Sequence, residues 1–115
     1  MESHAVIVAL GALAQESRLE IFRMLVKRGP EGFTPGEIAQ RLAIPAPTLS
    51  FHLRELQIAK LATTRREGRF IYYSANLQQM DEVLCFLTDN CCTLSSTPRD
   101  SKCVPKAATA RKKRA

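Results

Sequence analysis

Apolar residues along the chain fall into several helical stripes, one pair of strand-like runs and a final stretch with no pattern. Residues 5–14 are Ala, Val, Leu and Ile around a single Gly11 and predict a first helix. It is apolar on all sides, so something must cover it, within this chain or from another. Ser17 opens a second predicted helix with Leu19, Phe22, Leu25 and Val26 on one stripe, and Gly29-Pro30 stops it. Thr34-Pro35-Gly36-Glu37 is the strongest local signal. Thr34 suits the N-cap, Pro35 the first helical position, and Glu37 can complete a capping box with Thr34. That third helix runs through Ile38, Ala39 and Leu42 until Ile44-Pro45 breaks it. Pro47 begins a fourth, to about Ala59, with Leu49, Leu53 and Leu56 facing inward. Two short helices joined by so short a turn make a helix-turn-helix.

Residues 61–66 and 69–75 are β-leaning runs on either side of Glu67-Gly68, which predicts a hairpin. A last helix is expected over roughly Gln78 to Asn90, with Met80, Val83, Leu84 and Leu87 apolar. The fold class is therefore mainly α with a small β-hairpin: a winged helix-turn-helix in the order α-α-α-α-β-β-α. Residues 1–92 form the predicted DNA-binding domain. Residues 93–115 turn to Ser, Thr, Pro, Lys, Arg and Ala, a Cys-containing basic tail expected to be disordered without a ligand.

A length of 115 residues suits one domain, and 45% hydrophobic content is ordinary for a globular chain. The early apolar stretch is too short to span a bilayer, so no membrane association is expected. Met1-Glu2-Ser3-His4 before it lacks the Lys or Arg of a secretory leader, which predicts a cytoplasmic location and reduced thiols. The net charge of +6 changes meaning once divided. Residues 1–98 carry ten Lys/Arg against ten Asp/Glu, and residues 99–115 carry seven against Asp100 alone. Bulk charge thus says little about the folded part, where the placement of the ten cations is what counts.

That placement points to double-stranded DNA. On the fourth helix the outward positions are Ala46, Thr48, Ser50, Phe51 and Arg54. Thr48 and Ser50 can donate or accept at bases or phosphates, and Arg54 can reach a phosphate or a guanine. The hairpin gathers Arg65, Arg66 and Arg69 within five residues, a cationic wing for phosphate. A basic surface hairpin alone would be unremarkable; beside a helix-turn-helix it gains meaning. His52 has no Cys, His or acid at ligand spacing, so it is read as structural or phosphate-facing rather than metal-bound.

Arg18-Leu19-Glu20-Ile21, the Thr34–Ala39 segment, Ser50-Phe51-His52-Leu53-Arg54-Glu55-Leu56 and Arg65-Arg66-Glu67-Gly68-Arg69-Phe70-Ile71-Tyr72-Tyr73 resemble the ArsR/SmtB family of winged-helix repressors over residues 5–92. The resemblance implies a homodimer with the first and last helices at its interface. It also implies an inverted-repeat operator that is released when a metal or metalloid binds. Three positions depart from the family pattern: Pro45-Ala46 where Ser-Gln is common, Phe51 where Arg is common, and Lys60 where Gly is common. The family's thiolate pair on the third helix is missing, and Val83 stands where an interfacial zinc site on the last helix would need His.

The thiols remain. Cys91 and Cys92 are adjacent, and Cys103 follows Cys92 by eleven residues. Soft thiolates select soft ions, and three of them suit trivalent arsenic, As(III), or antimony, Sb(III). Cys85 precedes Cys91 by six residues, about 9 Å along a helix, and is read as a packing residue. The expectation is a repressor that releases its operator when Cys91, Cys92 and Cys103 bind As(III), resembling the arsenite-responsive branch of the family. The alternatives are three unrelated surface thiols, a redox or persulfide switch pairing Cys103 with Cys91 or Cys92, and a metalloid-buffering protein that has kept only the fold. No Gly-rich phosphate loop or His–acid–nucleophile set is present, so no enzyme is expected.

Overall fold

The computed structural model describes residues 1–95, so Cys103 and most of the basic tail lie outside the described residues. Five helices and one hairpin follow in the order α1 (Ser3–Leu13), α2 (Glu16–Arg28), α3 (Pro35–Leu42), α4 (Ala46–Ile58), β1 (Ala62–Glu67), β2 (Phe70–Ala75) and α5 (Leu77–Thr88). No helix among the described residues is long and apolar enough to cross a membrane.

Local chemistry sets the helix starts. Gln15, rather than Ser17, caps α2 by accepting from the Arg18 backbone N–H. Thr34 and Glu37 form the full capping box, with Pro35 at the first helical position. Asn76 caps α5 by accepting from the Gln79 N–H.

The helix ends are more revealing. At the end of α4 the Lys60 N–H bonds to the Gln57 carbonyl and the Leu61 N–H to the Leu56 carbonyl, both at 2.9 Å. This is the paired closure of a Schellman motif, which needs a left-handed residue between helix and exit. Lys60 supplies it at φ 64°. Ala43 does the same after α3 at φ 55°, forming the turn of the helix-turn-helix. A side chain in that conformation costs about 1 kcal/mol relative to glycine.

Ile21, Phe22 and Leu25 of α2, Ile38 of α3, Leu49, Leu53 and Leu56 of α4, Leu61, and Val83 of α5 form one buried cluster, joined by Val6, Ala9 and Ala12 of α1. The α2 stripe is thus rotated from the expected one: Ile21 is inside, while Leu19 and Val26 lie at the surface. Ile7 and Leu10 of α1, and Leu84 and Leu87 of α5, are apolar and exposed.

The hairpin also differs from expectation by one residue. Glu67 pairs with Phe70, so the loop is Gly68-Arg69 rather than Glu67-Gly68. Gly68 holds φ 62° at the first loop position while Arg69 stays negative, the type II′ arrangement. A hairpin of two strands is marginal alone, and here it is tied down. Phe33 and Tyr73 exchange backbone hydrogen bonds at 3.0 and 2.8 Å, adding a short third rung ahead of α3. Gly32 makes this approach possible: at φ 73° a Cβ there would lie 2.6 Å from the Tyr73 carbonyl oxygen.

Replacing Lys60 by Gly should raise stability by about 1 kcal/mol, whereas Lys60→Ala should not. Urea unfolding with an unchanged slope and a higher midpoint for the glycine variant alone is the expected result.

Candidate nucleic-acid interface

The thirteen residues of α4 have two opposite faces. Leu49, His52, Leu53 and Leu56 are buried. At 100° per residue the stripe opposite is Pro47, Phe51, Arg54 and Ile58, all exposed, with Thr48 and Ser50 exposed on its flanks. Thr48, Ser50, Phe51 and Arg54 therefore lie at the surface as the sequence suggested. His52 does not. It is only 7% exposed, which takes it off the outward face.

A specific partner accounts for the burial of His52. The Arg18 guanidinium donates through Nε to the Ala12 carbonyl at 2.6 Å and lies with Nη1 3.3 Å from His52 Nδ1. Arg18 has only protons to give, so Nδ1 must be the acceptor and the imidazole neutral with its proton on Nε2. One side chain on α2 thereby ties the last turn of α1 to α4. The same guanidinium stands 6.0 Å from the Phe51 ring. Burial, and secondarily the charge of Arg18, lowers the His52 pKa below its usual value.

Arg65, Arg66 and Arg69 are all exposed on the hairpin, yet they are not equivalent. Arg65 donates to the Glu67 carboxylate at 3.0 Å and to the Pro30 and Glu31 carbonyls at 3.1 and 3.3 Å, and lies over the Tyr72 ring. It fastens the wing to the loop between α2 and α3. The side chains of Arg66 and Arg69 make no hydrogen bond or ion pair to any described residue, which leaves two cations open to an external anion.

Cys91 and Cys92 lie beyond α5, which stops at Thr88 instead of reaching Asn90. Asn90 and Cys92 adopt φ 58° and 67°, turning the chain in tight steps, and the two sulfurs come to 3.1 Å. Cys91 is exposed and Cys92 half-buried. Cys85 is half-buried on α5 and borders a hollow shared with Met1, Glu82, Phe86 and Asp89. No cluster of three metal-ligating side chains exists among the described residues.

Nothing in residue order signals the part Arg18 plays; its spacing from the start of α2 identifies a helix residue and nothing more. The position of His52, three residues after the inward Leu49 and four before the inward Leu56, is the clue that it belongs to the buried side.

Because the folded state favours neutral His52, its pKa lies below the unfolded value. The associated stability is complete above about pH 6.5 and is lost as pH falls from there toward the folded pKa, where the unfolded chain binds the extra proton. His52→Gln keeps an acceptor for Arg18 and cannot titrate. Urea midpoints measured at about pH 7.5 and about pH 5.5 should fall less for this variant than for the native chain.

Comparison with known proteins agrees with this architecture. A helix-turn-helix domain family model matches residues 13–65. The activator HlyU of Vibrio cholerae is 35% identical over 81 residues, covering 68% of this chain and 72% of HlyU. A solved HlyU structure superposes with a TM-score of 0.59 at 33% identity, covering 76% of this chain and 97% of the other. The nodulation protein NolR of Rhizobium meliloti is 35% identical over 80 residues, which span 70% of this chain but 63% of NolR. The match to the KmtR regulator of Mycobacterium tuberculosis spans 45% of that protein. An ArsR-like regulator from Rhodococcus superposes with a TM-score of 0.66 at 26% identity over 73% of this chain and 76% of its own. These are regulators of transcription rather than enzymes, and the chain belongs to the ArsR family of winged helix-turn-helix transcriptional regulators.

Proposed function

We propose that the chain binds operator DNA as a homodimer and is released by a thiophilic effector, trivalent arsenic or antimony. The DNA part is carried by one observation: α4 buries one face completely and leaves the opposite face open, while Arg66 and Arg69 stand uncommitted on the adjoining hairpin. Helix and wing have the division of labour that duplex recognition requires, base edges for one and phosphates for the other. SdpR is named a transcriptional repressor and HlyU a transcriptional activator, and that supports the reading. For the dimer, the support is the exposed Ile7 and Leu10 on α1 and Leu84 and Leu87 on α5, apolar positions on two helices that pack together. An inverted repeat with half-sites about 34–36 Å apart would match such a two-fold protein.

The effector reading rests on the adjacent sulfurs. Bonds from a soft ion to sulfur are about 2.3 Å for zinc, so one ion of similar size can touch both Cys91 and Cys92. Cys103 would supply the third thiolate by closing a loop of eleven residues, at a cost of about 2 kcal/mol plus a constant. Drawing that segment against the end of α5 would stress the α1–α5 pair and, through it, the spacing of the two recognition helices. A coupling of about 1–3 kcal/mol already lowers affinity 5- to 150-fold. A second reading is favoured by one observation on a relative. One solved HlyU structure is of the reduced protein. In this chain the equivalent event would be a disulfide from Cys103 to Cys91 or Cys92, with a peroxide taking up two electrons and the two thiol protons.

Single replacement of Cys91, Cys92 or Cys103 by Ser should leave DNA binding intact and abolish release by arsenite, while Cys85→Ser should respond normally. The mass of the effector-treated protein separates the two readings: arsenic is added in the first and two hydrogens are lost in the second. A fully inducible Cys103→Ser variant would sink the three-thiol site.

Arg66→Ala with Arg69→Ala should weaken binding to operator and random duplexes alike. The log–log salt dependence should flatten by about one unit for each phosphate that the wing no longer neutralises. Thr48→Ala or Ser50→Ala should instead reduce discrimination between the two duplexes. Fluorescence anisotropy across a salt series distinguishes these outcomes.

A further inference from the structure

The outward stripe of α4 is unusual for a surface that must read hydrogen-bonding base edges. Of Pro47, Phe51, Arg54 and Ile58, three offer nothing but carbon, and Phe51 and Ile58 are 54% and 61% exposed. Guanine is ordinarily read by Arg or Lys, adenine by Asn or Gln, and cytosine by Asp or Glu. Within the stripe only Arg54 belongs to those sets. The half-exposed Phe51 ring presents apolar surface that an apolar group could cover. The major groove offers one apolar group, the C5-methyl of thymine.

We infer that Phe51 reads a thymine methyl, so that each half-site holds an A·T pair opposite the second turn of the recognition helix. This rests on the DNA-binding reading and deepens it. The position of the ring is set by its neighbours. His52 beside it is fixed inward by Arg18, its ring centroid is 5.6 Å from that of Phe51, and the Arg18 guanidinium approaches at 6.0 Å. Half of the residue's surface stays open despite these neighbours. Thr48 and Ser50 on the flanks add hydroxyls that bond to either partner of a pair without choosing between them. The methyl contact therefore carries the discrimination at this position.

The experiment begins with the full chain selecting from random duplexes of about 30 base pairs, long enough for two half-sites one helical turn apart. The enriched duplex is then synthesised with deoxyuridine in place of thymidine, one position at a time, which removes only the methyl. The native chain should bind about fourfold more weakly at one symmetric position, the worth of burying one methyl group. A C·G pair there should bind poorly, and 5-methylcytosine should restore part of the affinity. Phe51→Ala should become indifferent to the same deoxyuridine, while Phe51→Leu keeps part of the sensitivity; both should unfold at the native urea midpoint because the ring is at the surface. A motif that is enriched but tolerates deoxyuridine everywhere, or a Phe51→Ala variant that still senses the methyl, overturns the thymine assignment alone. A chain that enriches no duplex overturns the DNA-binding reading and this inference with it.

Discussion

Leu49, Leu53 and Leu56 can leave water only if α4 turns Pro47, Phe51, Arg54 and Ile58 outward. Everything else about the surface follows from that rotation. Three leucines, each worth about 1.5–3 kcal/mol when buried, set the rotation coarsely, but a leucine face tolerates a small turn either way. A polar contact does not. His52 is buried with them, and a buried imidazole without a partner would forfeit the free energy of its missing hydrogen bond. Arg18 meets it at Nδ1 and simultaneously meets the Ala12 carbonyl. The hydrophobic term therefore chooses the face, and the directional term chooses the angle.

The wing is positioned by a different logic. Its two strands bury little, so their placement depends on attachments to the body. The Phe33–Tyr73 bridge joins β2 to the segment before α3, and Arg65 holds the same loop through two carbonyls. Phe33 itself is clamped between the guanidinium groups of Arg28 and Arg41, each 4.8 Å from its ring centre. Arg65 thus serves the frame, and Arg66 and Arg69 keep their charge for solvent or a partner. Three arginines that look alike in sequence divide into one anchor and two free ends.

Elements whose signals are local are legible from residue order. The capping box of Thr34 and Glu37, the stop at Gly29, and the break at Ile44-Pro45 each depend on neighbours within four residues, and each is found where expected. Lys60, where the resembled family commonly has Gly, is left-handed at φ 64°. What requires the third dimension is the choice between equivalent faces. Helix α2 carries Leu19, Ile21, Phe22, Met24, Leu25 and Val26, apolar over more than half its circumference. The packing of α1, α4 and β2 against it decides that Ile21 goes in and Leu19 stays out. The same holds for His52, whose side of the helix is readable but whose partner lies 34 residues away. The hairpin slips by one because Gly68 could occupy either loop position, and the sign of φ at Arg69 chooses the first.

These placements connect the thiols to the recognition helix through a short physical route. Cys91 and Cys92 follow α5 by a few residues, α5 packs on α1, and the last turn of α1 shares Arg18 with α4. Arg18 bonds to both Ala12 and His52, so α1 and α4 share one guanidinium. The guanidinium is planar and its donors are fixed relative to one another, so under the proposed function a movement at Ala12 would have a direct path to His52. Under the proposed function, α4 would respond to events at the far end of α5 by this route while its leucines keep it folded. A regulator needs this combination: a reading head that stays intact in both states and differs between them only in angle. Hydrophobic burial supplies the first property, and under the proposed function the Arg18 bracket would supply the second.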